Sequence, residues 1–208
     1  MPAPVKLLLA SSNPGKLREY RVLAAGRPLE LELLPNFNSL PRFDESAPTF
    51  AENAADKALH YSRFAEFPVI ADDSGLVVPA LGGAPGVHSA RYAASDASDA
   101  DRVQKLLAEM RGKKGDERRA RFVCVLAMVE KGRAVAVFSA AVEGLIAEAP
   151  RGSDGFGYDP VFFFPALGRT YAETTREEKN QYSHRGRAFR KLLAFLAAPA
   201  NADPISAI

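Results

Sequence analysis

Residues 122–142, FVCVLAMVEKGRAVAVFSAAV, decide the fold. Two apolar runs, 122–129 and 134–142, flank Glu130-Lys131-Gly132. Short β-branched and aromatic runs joined by a glycine-containing turn predict a β-hairpin. Its strands are antiparallel neighbours, so the sheet they join is mixed.

Working outward, short apolar runs alternate with helical patterns. Residues 5–10 read as a buried strand, 16–25 as a helix stopped by Gly26 and Pro28, and 29–34 as a second strand. Residues 35–48 are a loop rich in Pro, Asn and Ser. Thr49 and Glu52 have capping-box spacing ahead of an alanine-rich helix that ends near Phe67-Pro68. Residues 69–71 form a short strand ending at Asp72-Asp73, continued by 76–78 and followed by a glycine-rich loop at 81–86. Residues 99–110 are helical and 111–119 form a charged, solvated connection. Beyond the hairpin, 161–164 is a strand candidate. The last helix, about 185–196, carries Phe189, Leu192, Leu193 and Leu196 on one face. The alternation predicts one α/β unit with a hairpin-rich part. The tail 199–208 is expected to fray.

Composition narrows the function. The chain has 208 residues, 47 % of them hydrophobic, enough for a substantial core. A net charge of +2 is too weak an excess for a protein living on nucleic acid. The one dense basic run, 111–121, contains acids and no aromatic before Phe122, so an RNA-binding module is disfavoured. Cys124 stands alone in an apolar run and makes no internal disulfide, which reads as an intracellular protein. The apolar run at 5–10 is too short for a membrane span. A cytoplasmic enzyme acting on a small molecule is the expectation.

Four clusters carry candidate chemistry. Ser11-Ser12-Asn13-Pro14-Gly15-Lys16 lies between the first strand and first helix, where free N–H groups and the helix dipole favour an anion. The same residues also suit an ordinary capped turn. Asp72 and Asp73, followed by Ser74 and Gly75, sit after an apolar strand. Adjacent carboxylates repel and are tolerated best near a cation, and Mg²⁺ favours carboxylate oxygens. An exposed turn with Asp capping backbone N–H groups reads equally well. Phe156, Gly157, Tyr158 and Asp159 combine aromatics, glycine and an acid, as a base-binding loop does, or as a tight turn with core aromatics does. Lys179, His184 and Arg185 occupy a polar run near a helix start. Asp44-Glu45 adds carboxylates to the earlier loop, and Asn53 and Lys57 share a helix face.

In this order the motifs resemble a known family. Ser12-Asn13-x-x-Lys16, Thr49-Phe50-x-Glu52-Asn53-Ala54-x-x-Lys57-Ala58, Ala71-Asp72-Asp73-Ser74-Gly75-Leu76, Leu81-Gly82-Gly83-Ala84-Pro85-Gly86, Gly155-Phe156-Gly157-Tyr158-Asp159-Pro160, Thr175-x-Glu177-Glu178-Lys179 and Ser183-His184-Arg185-Gly186 are similar to the inosine/xanthosine triphosphate pyrophosphatases, the Ham1-like family.

The resemblance implies an α/β fold with a long mixed central β-sheet flanked by helices. It implies two lobes within a single domain, 1–198, with the active-site cleft between them. It implies a homodimer and a Mg²⁺-dependent hydrolysis of ITP, dITP or XTP to the monophosphate and pyrophosphate. By the same resemblance, residues 11–16 contact the phosphates and Lys57 stabilises the triphosphate. Asp73 is the general base and a metal ligand, with Asp72 in support. Glu45 is the other metal carboxylate, although the match leaves Asp44 open. Ser74 contacts the substrate. Phe156, Gly157, Tyr158, Asp159, Lys179, His184 and Arg185 form the base and sugar side.

Overall fold

The computed structural model describes residues 4–94 and 96–198. The tail expected to fray, 199–208, lies outside them. A seven-stranded sheet runs through the chain in the order β2-β1-β3-β4-β5-β6-β7. These are β1 (Val5–Leu9), β2 (Leu29–Leu33), β3 (Val69–Val77), β4 (Arg119–Glu130), β5 (Arg133–Ile146), β6 (Phe162–Phe164) and β7 (Arg169–Thr170). β1 is parallel to both β2 and β3, and every other pairing is antiparallel. The mixed sheet is as the hairpin predicted. Its turn is made by Lys131 at φ 49° and Gly132 at φ 73°. Two successive left-handed residues match the twist of the strands they join.

The helices are α1 (Pro14–Ala24), α2 (Phe50–Ser62), α3 (Asp99–Glu109), α4 (Arg176–Tyr182) and α5 (His184–Ala197). Side chains cap most of their N-termini. Asn13 accepts from the Lys16 amide at 3.0 Å, and Thr49 from the Glu52 amide at 3.1 Å. Ser98 and Asp101 form a capping box on α3. Each cap satisfies an amide that lacks an intrahelical partner.

Strand alternation divides the core. Leu7, Leu9, Ile70 and Leu126 pack with Tyr20 of α1 and Phe189 and Leu192 of α5. Their neighbours Leu8, Val69, Ala71 and Ala127 pack with Ala54 and Ala58 of α2 on the opposite face. Leu76, Phe122 and Phe162 join Leu106 of α3 and Tyr171 in a third cluster. Successive strand residues point to opposite faces.

Three expectations are corrected. β3 does not stop at Asp72-Asp73: its ladder with β4 runs unbroken from Val69↔Val129 to Val77↔Arg121. The two aspartates therefore sit inside an interior strand, and the exposed-turn reading falls. The helix expected to run to Phe67-Pro68 ends at Ser62. The polar run before the last helix contains α4, capped by Thr175 on the Glu178 amide at 3.2 Å.

Candidate active site

The unbroken β3 separates Asp72 from Asp73. Asp72 lies on the α1–α5 face with Ile70. Its Oδ2 is 3.1 Å from Lys16 Nζ and accepts from Ser74 Oγ at 3.2 Å. Arg185 Nη2 lies 3.4 Å from the same oxygen and donates to Ser74 Oγ at 2.7 Å. Burial opposes ionisation of Asp72, but Lys16 and Arg185 outweigh it and hold the carboxyl well below the usual carboxylate range.

Asp73 points to the α2 face. Asn53 donates to its Oδ2 at 3.0 Å and its Oδ1 accepts from the Ser74 amide at 2.9 Å. Asn53 also accepts from the Ala47 amide at 3.0 Å, so one α2 side chain pins both the acid and the loop before α2. Burial pushes the Asp73 carboxyl up to about 6, with the Glu45 and Asp72 charges adding to the rise. Glu45 belongs to that pinned loop. It pairs with Lys57 Nζ at 2.6 Å, and its backbone oxygen accepts from Arg91 at 2.7 Å. Of the two loop acids, Glu45 lines the cleft, whereas Asp44 is exposed and does not.

A cavity of about 560 Å³ joins these groups to the base-side candidates. Ser11, Ser12, Asn13, Lys16, Glu45, Lys57, Asp73 and Ser74 line it, as do Phe156, Gly157, Tyr158, Asp159, Lys179, His184 and Arg185. Its size is that of a small-molecule site. Three expected residues stand back from it. Pro14 is the first residue of α1, and Asp72 is buried beneath Ser74. Gly15 packs under Phe156: a Cβ there would lie 2.4 Å from the Phe156 ring. Gly75 permits a similar close approach, since a Cβ would lie 2.3 Å from Ser89 Oγ. That approach lets the 3₁₀ turn Gly86–Arg91 rest on β3, where Ser89 Oγ accepts from the Leu76 amide at 2.9 Å.

The base-side cations are held by acids. Lys179 Nζ pairs with Glu19 at 2.5 Å and Asp159 at 2.6 Å, and lies 4.7 Å from the Phe156 ring centroid. Arg185 pairs with Glu19 and Asp72. Glu19, on α1, thus joins two cations drawn from α4 and α5. Burial opposes its charge, but Lys179 and Arg185 prevail and lower its pKa. His184 stacks on Phe122 with centroids 4.7 Å apart, and burial drives its pKa well below 6.5, leaving a neutral imidazole.

Sequence reasoning missed Glu19, Asp99, Arg102 and Phe122. Glu19 sits three residues after Lys16, on an adjoining face of α1, and that spacing was its only signal. Asp99 and Arg102, on α3, line the cleft from its far side.

The carboxylates suit a hard divalent cation. Glu45 and Asp73 both line the cleft and lie close enough for one charge to raise the pKa of the other. Among the described residues no cluster of three or more His, Cys, Asp and Glu side chains has metal-holding geometry. One or two protein carboxylates, with water and phosphate oxygens completing the sphere, is the usual arrangement for Mg²⁺.

Comparison with known proteins places the chain among relatives of known family and fold. A family model described as the Ham1 family matches residues 7–195. The dITP/XTP pyrophosphatase of Geobacillus kaustophilus is 54 % identical over 187 residues, covering 90 % of this chain and 92 % of that protein. A dITP/XTP pyrophosphatase of Thermus thermophilus is 48 % identical over 189 residues, covering 91 % and 90 %. The structure of a HAM1 protein from Coxiella burnetii superposes with a TM-score of 0.82 at 41 % identity, covering 92 % of this chain and 98 % of that one. The Staphylococcus aureus Ham1 protein gives a TM-score of 0.81 at 39 % identity, covering 92 % and 97 %.

Proposed function

The chain belongs to the Ham1 family, and from that premise we propose that it hydrolyses the non-standard purine triphosphates ITP, dITP and XTP to the nucleoside monophosphate and pyrophosphate. Such an activity clears deaminated purines from the nucleotide pool. The relatives named dITP/XTP pyrophosphatase support the substrate class. The observation that carries the reading is the layout of the cleft. Lys16, Lys57, Glu45 and Asp73, which we read as its phosphate side, and Phe156, Tyr158 and His184, which we read as its base side, line one cavity of about 560 Å³.

Phosphoryl transfer rests on positioning and charge neutralisation. Lys16 and Lys57 offset the charge of the phosphates. Asn53 holds Asp73 so that its carboxylate faces the cleft, and Asp73 takes a proton from the attacking water. With no metal bound, burial raises its pKa to about 6, which still leaves it mostly ionised at neutral pH. We assign Mg²⁺ as the cofactor, with Glu45 and Asp73 as ligands and Asp72 behind them; when bound, it would neutralise charge on the phosphate oxygens.

Base choice follows from hydrogen-bond polarity. Hypoxanthine and xanthine present a 6-oxo acceptor where adenine presents an amino donor. A pocket that donates to that oxygen rejects ATP by leaving buried groups unpaired. His184 and Arg185, which line the cavity and carry ring and guanidinium N–H donors, support such a pocket.

A homodimer, a two-lobed closure of the cleft and a cytoplasmic location complete the proposal. The exposed Val135 and Val137 on β5 offer apolar surface to a second copy. Among the described residues no helix is long and apolar enough to cross a membrane.

The test is a panel of purine and modified pyrimidine triphosphates with and without Mg²⁺, scored by pyrophosphate release. ITP, dITP and XTP are expected to lead, with turnover lost in chelator. Equal turnover of ATP and ITP, or release of orthophosphate, overturns the reading. In ¹⁸O-water the label is expected in the monophosphate; label in pyrophosphate contradicts attack at the α-phosphate.

A further inference from the structure

The loop 155–160 presents the base-side aromatics, yet its own backbone is lax. Gly155 and Gly157 both take positive φ, 79° and 62°. Several ties hold the loop in place, among them the buried Lys179–Asp159 ion pair at 2.6 Å and the Arg151 amide on the Pro160 backbone oxygen at 2.9 Å. Asp159 accepts from the Phe156 amide at 2.8 Å, within the loop itself. The Tyr158 hydroxyl donates to the Ser89 backbone oxygen at 2.9 Å. The Gly157 amide, which lies between the two rings, donates to Asp99 Oδ2 at 2.6 Å.

Asp99 is the first residue of α3. An acid there ordinarily just complements the helix dipole. Here Ser98 and Asp101 already provide the capping box. One oxygen of Asp99 is committed to the loop, and the other pairs with Arg102. Arg102 is anchored in turn, donating to the backbone oxygens of Ala90 at 2.9 Å and Ala97 at 2.5 Å. The carboxylate is therefore held at both oxygens and lies at the wall of the cleft.

We propose that Asp99 is a positioning residue for recognition of the purine base. By fixing the Gly157 amide, it sets the rings on either side, Phe156 and Tyr158, against the base. The inference rests on the purine triphosphate reading given above. It separates base affinity from phosphate chemistry, because among the described residues the Asp99 side chain is bonded to the loop and to Arg102 and not to the lysines or the other acids of the cleft. Its side chain is 46 % exposed, so its removal opens no cavity in the core.

The experiment compares the full-length wild type with Asp99→Ala and Asp99→Asn. It measures ITP kinetics, inhibition by IMP and inhibition by inorganic tripolyphosphate. In Asp99→Ala, KM for ITP and Ki for IMP are expected to rise about 5- to 10-fold, less than the full worth of one hydrogen bond to a charged acceptor, because the contact acts through the loop. The kcat and the tripolyphosphate Ki should stay within about 2-fold, since the phosphate side is untouched. Asp99→Asn keeps an oxygen for the Gly157 amide and should recover most of the IMP affinity.

Unchanged KM and IMP inhibition in Asp99→Ala overturn the proposal. So does a parallel loss of IMP and tripolyphosphate affinity, or an Asn variant as weak as the Ala variant, each of which marks a merely structural role. A folded wild type that hydrolyses no purine triphosphate sinks the proposed function, and this inference with it. An active wild type matched by Asp99→Ala sinks the inference alone.

Discussion

Asp72 and Asp73 are neighbours in sequence and face opposite sides of the same strand. Asp72 meets Lys16 at 3.1 Å on one face, and Asp73 meets Asn53 at 3.0 Å on the other. The pair is thus two groups with opposed electrostatics. One carboxyl is held strongly acidic by two cations; the other is raised to about 6 by burial and its acidic neighbours.

Their substitutions should separate accordingly. Asp73→Asn is expected to lower turnover about 10²- to 10⁴-fold, the span of a lost general base, with little change in unfolding midpoint. Asp72→Asn should destabilise the fold by roughly 3 kcal/mol, because it strips a buried ion pair of one partner. Pyrophosphate release and guanidinium unfolding, run on both variants, give the comparison. Near-normal turnover in Asp73→Asn contradicts its role as base.

Glu19 joins two buried cations, so its loss leaves both under-compensated. Glu19→Ala should cost about 3–5 kcal/mol in guanidinium unfolding. Lys179→Met also strips the buried Asp159 of its cation, so the double variant should stay below wild type yet lose less than the sum of the two single variants. A double variant as unstable as the sum of the two single ones would mean that the pair is not coupled.

Gly15→Ala offers a cleaner probe of the base wall. Gly15 is inside α1 and not at positive φ, so alanine favours the helix by up to about 1 kcal/mol. Its methyl would nonetheless lie 2.4 Å from the Phe156 ring, which must move. KM for ITP should rise about 10-fold with kcat little changed, as expected for lost binding without lost chemistry, while overpacking of about 1–3 kcal/mol offsets the helix gain. An unchanged KM would show that Phe156 relocates without consequence.

The buried His184 ties stability to pH. Its folded pKa lies well below the ordinary 6.5, chiefly through burial. As pH falls below that ordinary value, the unfolded chain takes up a proton that the folded protein does not, so stability is lost. Asp73, raised to about 6, works in the opposite sense, but it does so equally in a His184→Gln variant and cancels in the difference. The stability of wild type relative to His184→Gln should therefore fall between pH 7 and 5, at up to about 1.4 kcal/mol per pH unit. A difference that is flat with pH would mean that the imidazole is not buried neutral.

Much of the fold was legible because it rests on local periodicity and turn chemistry. The hairpin at 130–132, the capping box at Thr49 and Glu52, and the apolar face of α5 each carry their signal within a few residues. What escaped was α4, whose seven residues are too few for a periodic pattern, although Thr175 and Glu178 stood at cap spacing. The end of α2 was misplaced because its alanine-rich pattern fades gradually and Pro68 looked like the stop.

The site divides in the same way. By itself, the sequence determined which chemistry-bearing residues the chain owns and in what order, because their types and spacings are local. Only the tertiary structure decided which of them meet. Asp72 and Asp73 look paired in the chain, yet the ladder with β4 keeps β3 extended through them and sends them to different faces. Glu19 meets Lys179 across 160 residues, and Asp99 meets Gly157 across 58. Contacts of that separation depend on how helices seat against a sheet, where many buried side chains choose the arrangement together and no short stretch encodes it.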